Sequence, residues 1–296
     1  MTRANLHDPK SRERTPPFAK QEQPTPGREA HMDPRPDYGI DSYKGYGRLK
    51  DRIALITGGD SGIGRAVALA FAREGADVAI AHVAGEEADA AETVRAVVDA
   101  GRAAVSMPVD LSNEDDCKAL IERTAERFGH IDILVNNAAK QGKAVERFED
   151  LCASRVERTF KVNIISMFHL VRHALPHMRP GAAIINVASI QAYQPSPEIL
   201  DYASTKGAIV TFTKGLAQAL IDRGIRVNAV APGPVWTPLV VQSFGRSKNA
   251  TFGQDSPMGR PAQPAELAPA FVFLASDESS YVNGEILGVT GGKPLA

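Results

Sequence analysis

The chain has 296 residues, 43% of them hydrophobic, and a formal net charge of −1. This length allows one large domain or two small ones, and the apolar fraction is enough for a substantial core. The near-neutral balance argues against a nucleic-acid partner, which draws on a basic excess or a basic stripe.

Residues 1–48 stand apart. They carry seven prolines between Pro9 and Pro36, mixed charges and few aliphatic side chains. Such a composition buries little apolar surface to offset the entropy of ordering. An extended or disordered N-terminal arm is therefore expected, with SYKGYGRLK as a segment that could dock, on a neighbouring subunit for instance. The first twenty residues lack the apolar core of a secretory signal. No stretch reaches the ~20 apolar residues of a membrane span. A cytoplasmic protein without membrane contact is the expectation. Cys117 and Cys152, far apart in sequence, suggest neither a disulfide framework nor a metal site.

From Arg52 onward, short apolar runs alternate with helical patterns. The expected strands are 53–57, 77–83, 103–109, 132–136, 182–189, 225–231 and 285–289. Several are nearly continuous apolar runs, as in strands covered on both faces. GRAVALAFAREG (64–75) is expected to be a helix stopped by Gly75, and Ser112-x-x-Asp115 a capping box after strand three. The alternation predicts an α/β, doubly wound parallel sheet of about seven strands in a single domain, 49–296.

Strand one runs directly into Thr57-Gly58-Gly59-Asp60-Ser61-Gly62-Ile63-Gly64, and a helix follows. Glycines let a backbone approach a pyrophosphate closely, and a helix N-terminus offers free N–H groups to an anion. Gly58, Asp60, Ser61, Gly62, Ile63 and Gly64 are therefore candidate cofactor-binding residues. A glycine trio alone also fits an ordinary strand-to-helix turn; its place at the first junction favours a dinucleotide.

Tyr-x-x-x-Lys occurs twice. Tyr46…Lys50 lies in the polar lead-in with no helix to align it, and reads as a surface turn. Tyr202…Lys206 lies in a helical pattern after strand five, where an i, i+4 pair shares one face with Cβ atoms ~6 Å apart. Free tyrosine titrates near ~10, so a phenol acting as base at neutral pH needs ~4 kcal/mol of differential stabilisation. A neighbouring ammonium and a positive nicotinamide ring are suited to supply it. Ser189, at the end of strand five, faces the crevice where such folds bind ligands.

With TGGDSGIG, Asp110, NNAA (136–139), Asn163 in FKVN, Ser189, Tyr202-x-x-x-Lys206 and PGPVWT (232–237), the chain resembles the short-chain dehydrogenase/reductases over about 49–292. Its arm and SIQAYQPSP are similar to a bacterial subgroup of general-stress and aldehyde-reductase-like proteins. The resemblance implies hydride transfer between NAD(P)(H) and a small aldehyde, ketone or polyol. Tyr202 would be the acid/base, Lys206 would lower its pKa and hold the ribose, and Ser189 would position the substrate oxygen. Asn163 would kink its helix and hold a relay water, Asp110 would bind the adenine amine, and Asn137 would line the cleft. Leu111, Pro232, Gly233, Val235 and Thr237 would complete the cofactor site, with Thr237 on the carboxamide. Ala139 departs from the usual glycine and would crowd the cleft slightly. Taken singly, Asp110 also fits a helix cap, Asn163 a structural amide and Ser189 a plain strand end.

Strand two ends Ala81-His82-Val83 without a carboxylate to take a ribose 2′-hydroxyl. His82 tips the expectation towards NADP, although the glycine turn has no cation. Gln191 and Tyr193 are expected in the substrate pocket, and 236–257 as a mobile lid. Relatives imply a homotetramer or dimer through 152–178, 202–222 and the last strand. A dinucleotide-binding sensor without turnover is the alternative reading. An epimerase or dehydratase would need more than the about 65 residues that follow strand six, and enoyl reductases space tyrosine and lysine further apart.

Overall fold

The computed structural model describes residues 8–295; the first seven positions of the arm and the last residue lie outside it. Seven strands form one parallel sheet: β1 Ile53–Thr57, β2 Asp77–His82, β3 Ala104–Pro108, β4 Ile133–Asn136, β5 Ala183–Val187, β6 Arg226–Pro232 and β7 Ile286–Val289. Their spatial order is β3-β2-β1-β4-β5-β6-β7, so the winding reverses between β1 and β4. Alternation explains the apolar runs. Ala54 and Ile56 of β1 join a core on one face, with Leu267 and Phe271; Leu55 joins the other, with Leu120 and Leu170. Both faces are covered, so every residue of β1 must be apolar or hydrogen-bonded.

The first face is covered by α1 (Gly62–Arg73), α2 (Glu87–Asp99) and a helix near the C-terminus, Pro264–Ala275. The second is covered by α3 (Glu114–Phe128), the long helix Leu200–Leu220 and a composite helix. The composite helix is α4 (Ala153–Phe160), a π turn (Lys161–Ile165) and α5 (Ser166–Ala174) in unbroken succession. In chain order, Leu200–Leu220 is α6, Pro238–Ser243 is α7, Arg246–Ala250 is α8 and Pro264–Ala275 is α9. Gly75, at φ +99°, turns the chain out of α1 as expected. The cap of α3 differs from expectation. Asn113, not Ser112, caps it, accepting from the N–H of Asp115 at 2.9 Å, because Ser112 is drawn to Asp110.

The arm is extended, but its described part is packed rather than loose. Phe18 stacks on the fully buried Trp236 at 4.5 Å, and Met32 shares their small core. The Trp236 indole donates to Pro34 O at 2.8 Å. Glu29 is wholly buried against Arg65 and accepts from the Gly62 N–H at 3.1 Å. A few well-placed side chains anchor the segment where its average composition argues for disorder. All these partners belong to the same chain. The arm also fastens the stretch expected to be a mobile lid. Phe18 N–H donates to Ala250 O, Gly27 N–H to Gln242 Oε1 and Asn249 Nδ2 to Gln21 O, all within 3.0 Å.

Candidate active site

A cavity of about 630 Å³ runs along the C-terminal ends of the strands, across the reversal point. There, loops leave neighbouring strands in opposite directions and open a crevice. Its floor at β1 is the glycine turn. Gly58 and Gly62 hold φ of +61° and +52°, open to glycine at little cost. A Cβ on Gly64 would fall inside the Gly58 carbonyl oxygen, so helix and turn touch only because that side chain is missing. Gly64 itself is behind the wall. Asn137 stitches the turn to β4, donating to the carbonyls of Thr57 and Gly58 at 2.9 and 2.8 Å.

At the end of β5, Ser189 caps a 3₁₀ turn, and its Oγ accepts from the Gln191 N–H at 3.1 Å. Tyr202 and Lys206 come one above the other from the first turns of α6. Arg155 fixes that end of the helix by a paired contact with Asp201, 3.0 Å at both oxygens. The Lys206 ammonium sits 5.2 Å from the Tyr202 ring centre and donates to Val187 O at 2.7 Å. Among the described residues this carbonyl is its single hydrogen-bond partner, although the side chain is buried. Two donors therefore remain for a ligand in the cleft.

The expected lowering of the phenol involves Lys206 and a bound nicotinamide together. In the protein alone, burial pushes Tyr202 up to about 12, opposed only by the facing Ser189 hydroxyl. Burial likewise brings Lys206 down to about 7. Desolvation disfavours the charged form of each.

The remaining expected residues divide. Asp60, Ser61, Ile63, His82, Asp110, Leu111, Pro232, Gly233, Val235, Thr237 and Gln191 line the cavity; Asn163 and Tyr193 do not. Tyr193 follows the 3₁₀ turn, which carries it away from the opening. Asn163 lies in the π turn, and its amide is spent. Oδ1 accepts from Lys140 N–H at 2.7 Å, and Nδ2 donates to Lys140 O and Thr205 Oγ1. It ties the composite helix to the loop after β4 and to α6. Asp110 already receives two bonds of 2.9 Å from Arg158 Nη2, and against burial the Ser112 N–H and hydroxyl, with Arg158, hold its carboxyl below the usual range. Ala139 lines the cavity and packs against the cluster that holds Tyr202 and Val240.

Four contributors gave no clear sequence signal. Thr25, Pro26 and Gly27 of the arm line the cavity, as does Glu86. Burial and the nearby Asp60 push Glu86 up to about 8, and burial also raises Asp60. His82, whose Nδ1 is 3.0 Å from Val83 O, faces this pair and favours the ionised Asp60.

A family model described as enoyl-(acyl carrier protein) reductase, of the short-chain dehydrogenase type, matches residues 58–293. The chain belongs to the short-chain dehydrogenase/reductase family. This short-chain dehydrogenase/reductase is 49% identical to the uncharacterized oxidoreductase YghA of Escherichia coli (strain K12), over 99% of both chains. It is 49% identical to general stress protein 39 of Bacillus subtilis (strain 168), over 90% of this chain and 93% of that one. It is 46% identical to the chloroplastic NADPH-dependent aldehyde reductase 1 of Arabidopsis thaliana, over 90% and 94%. Among solved structures it is similar to a short-chain dehydrogenase from Burkholderia cenocepacia J2315 in complex with NADP. The TM-score is 0.74 and the identity 30%, over 83% of this chain and 98% of that one.

Proposed function

We propose that this oxidoreductase reduces a small aldehyde or ketone with a nicotinamide dinucleotide, NADP(H) in preference to NAD(H). One observation carries the reading: Ser189, Tyr202 and a Lys206 with unused donors meet in the cleft whose floor is the glycine turn. The glycine cradle fits a pyrophosphate, and the Lys206 donors fit ribose hydroxyls. Bound there, the nicotinamide supplies or accepts the hydride. Ser189 holds the substrate oxygen, and Tyr202 gives that oxygen its phenolic proton. Asn163 and the Arg155–Asp201 pair keep α6 in place while this happens.

A phenol raised to about 12 by burial keeps its proton at neutral pH, so Tyr202 has a proton to donate. The NADP-bound Burkholderia structure and the NADPH-dependent Arabidopsis relative support the cofactor preference. We also propose a homotetramer in the cytoplasm. Phe168, 57% exposed on α5 and stacked on Phe212 of α6, supports a contact between subunits. No helix among the described residues is long and apolar enough to cross a membrane.

The test is Tyr202→Phe, which keeps the ring and removes the proton. Reduction of an aldehyde panel should fall about 10²- to 10⁴-fold while dinucleotide affinity stays within a few-fold. Turnover comparable to wild type would overturn the role. Tight cofactor binding by wild type with no turnover on aldehydes, polyols or enoyl thioesters would favour the sensor reading. Enoyl turnover alone would redirect the assignment to the reaction named by the family model.

A further inference from the structure

The glycine turn carries no cation, but the arm brings one to the β2–α2 loop. Thr25, Pro26 and Gly27 wall the cavity beside the end of β2, where His82, Val83 and Glu86 form the opposite side. The next residue, Arg28, is held at both backbone groups by the buried Gln23. Its N–H donates to Gln23 Oε1 at 2.7 Å, and its carbonyl accepts from Gln23 Nε2 at 3.1 Å. Glu29 then pins the chain to the N–H of Gly62, so Arg28 is fixed between the glycine turn and the β2–α2 loop. Its guanidinium lies over that loop, 3.4 Å from Gly85 O.

We propose that the arm is part of the cofactor site, and that Arg28 receives the ribose 2′-phosphate of NADP(H) at the end of β2. This rests on the dinucleotide reading above and names the group that makes it selective. Other cations near that corner are committed. Arg65 is buried among Glu29, Asp89 and Glu92, and Arg35 is paired with Glu92. Arg28 is exposed and forms no salt bridge among the described residues, although its charge helps to hold the nearby Glu87 ionised. The neighbouring acids do not oppose a phosphate as strongly as their number suggests. Glu86, pushed up to about 8 by burial and Asp60, is largely protonated at neutral pH, whereas Glu87, with both oxygens 3.0 Å from the Gly85 N–H, is held ionised. A planar guanidinium offers a phosphate paired donors that an imidazole lacks.

The experiment titrates full-length wild type, Arg28→Ala and Arg28→Lys with NADPH and NADH by nicotinamide fluorescence, and with 2′,5′-ADP and 5′-ADP by calorimetry. Arg28→Ala should raise the NADPH Kd about tenfold or more, and leave the NADH Kd within about twofold. The preference of wild type for 2′,5′-ADP over 5′-ADP should disappear, and lysine should restore part of it. Equal losses for both dinucleotides, no loss for NADPH, or a wild type preferring NADH would overturn the assignment of Arg28. A wild type that binds neither dinucleotide would instead overturn the proposed function itself.

Discussion

Replacing Glu29 by alanine tests whether the arm is a structural part of this enzyme. The carboxylate is fully buried beside an equally buried Arg65, and accepts the Gly62 N–H. Alanine removes one partner of a buried pair, a change that costs about 3–5 kcal/mol when the other charge is left alone. Arg65 keeps Asp89 and Glu92, which places the expected loss near the lower end, about 3 kcal/mol. For 296 residues the unfolding entropy is roughly 0.6 kcal/mol per degree, so the melting temperature should drop by about 5 °C. The arm should also loosen locally, exposing the bond after Arg28 to trypsin under native conditions. Glutamine, which keeps the acceptor for Gly62, should lose less. Calorimetry and timed proteolysis provide the assay. An alanine variant melting within about 1 °C of wild type, with its arm uncut, would refute the anchoring argument.

The remaining expectations concern the cleft. Tyr202 is raised, so its neutral form persists below about 12 and its base form grows about tenfold per pH unit beneath that value. Alcohol oxidation should therefore climb between pH 7 and 10 while carbonyl reduction does not follow it upward; initial rates in both directions decide, and an oxidation optimum at neutral pH would contradict the assignment. Gly64→Ala forces a methyl onto the Gly58 carbonyl, and should abolish measurable NADPH binding in a fluorescence titration while costing about 1–3 kcal/mol of stability.

Much of this architecture can be read from the chain because burial on two faces leaves a continuous mark. IALIT is a strand in sequence and in structure, and the i, i+4 spacing of Tyr202 and Lys206 survives as a shared helix face. The end of β2 was less legible. His82 is a single residue with no pattern around it, and the acids that face it, Asp60 and Glu86, come from separate loops. Tyr193 follows a serine of the site, yet a 3₁₀ turn after Ser189 carries it out of the cavity. The arm was the least legible part, because composition averages over forty-odd residues whereas anchoring rests on Phe18, Glu29 and Met32 individually. In the protein alone Tyr202 is raised, and spacing could not show this: spacing reports proximity, but desolvation depends on everything packed around the pair.

The arm's bonds also impose an order of events on the newly made chain. Gly27 reaches a partner 215 positions later, and Trp236 reaches back 202 positions to Pro34. At ordinary translation speeds the segment leaves the ribosome roughly 10–40 s ahead of the residues that receive it. It is made before the residues that receive it, so the cleft acquires this wall only after Trp236, Gln242 and Ala250 have followed it out.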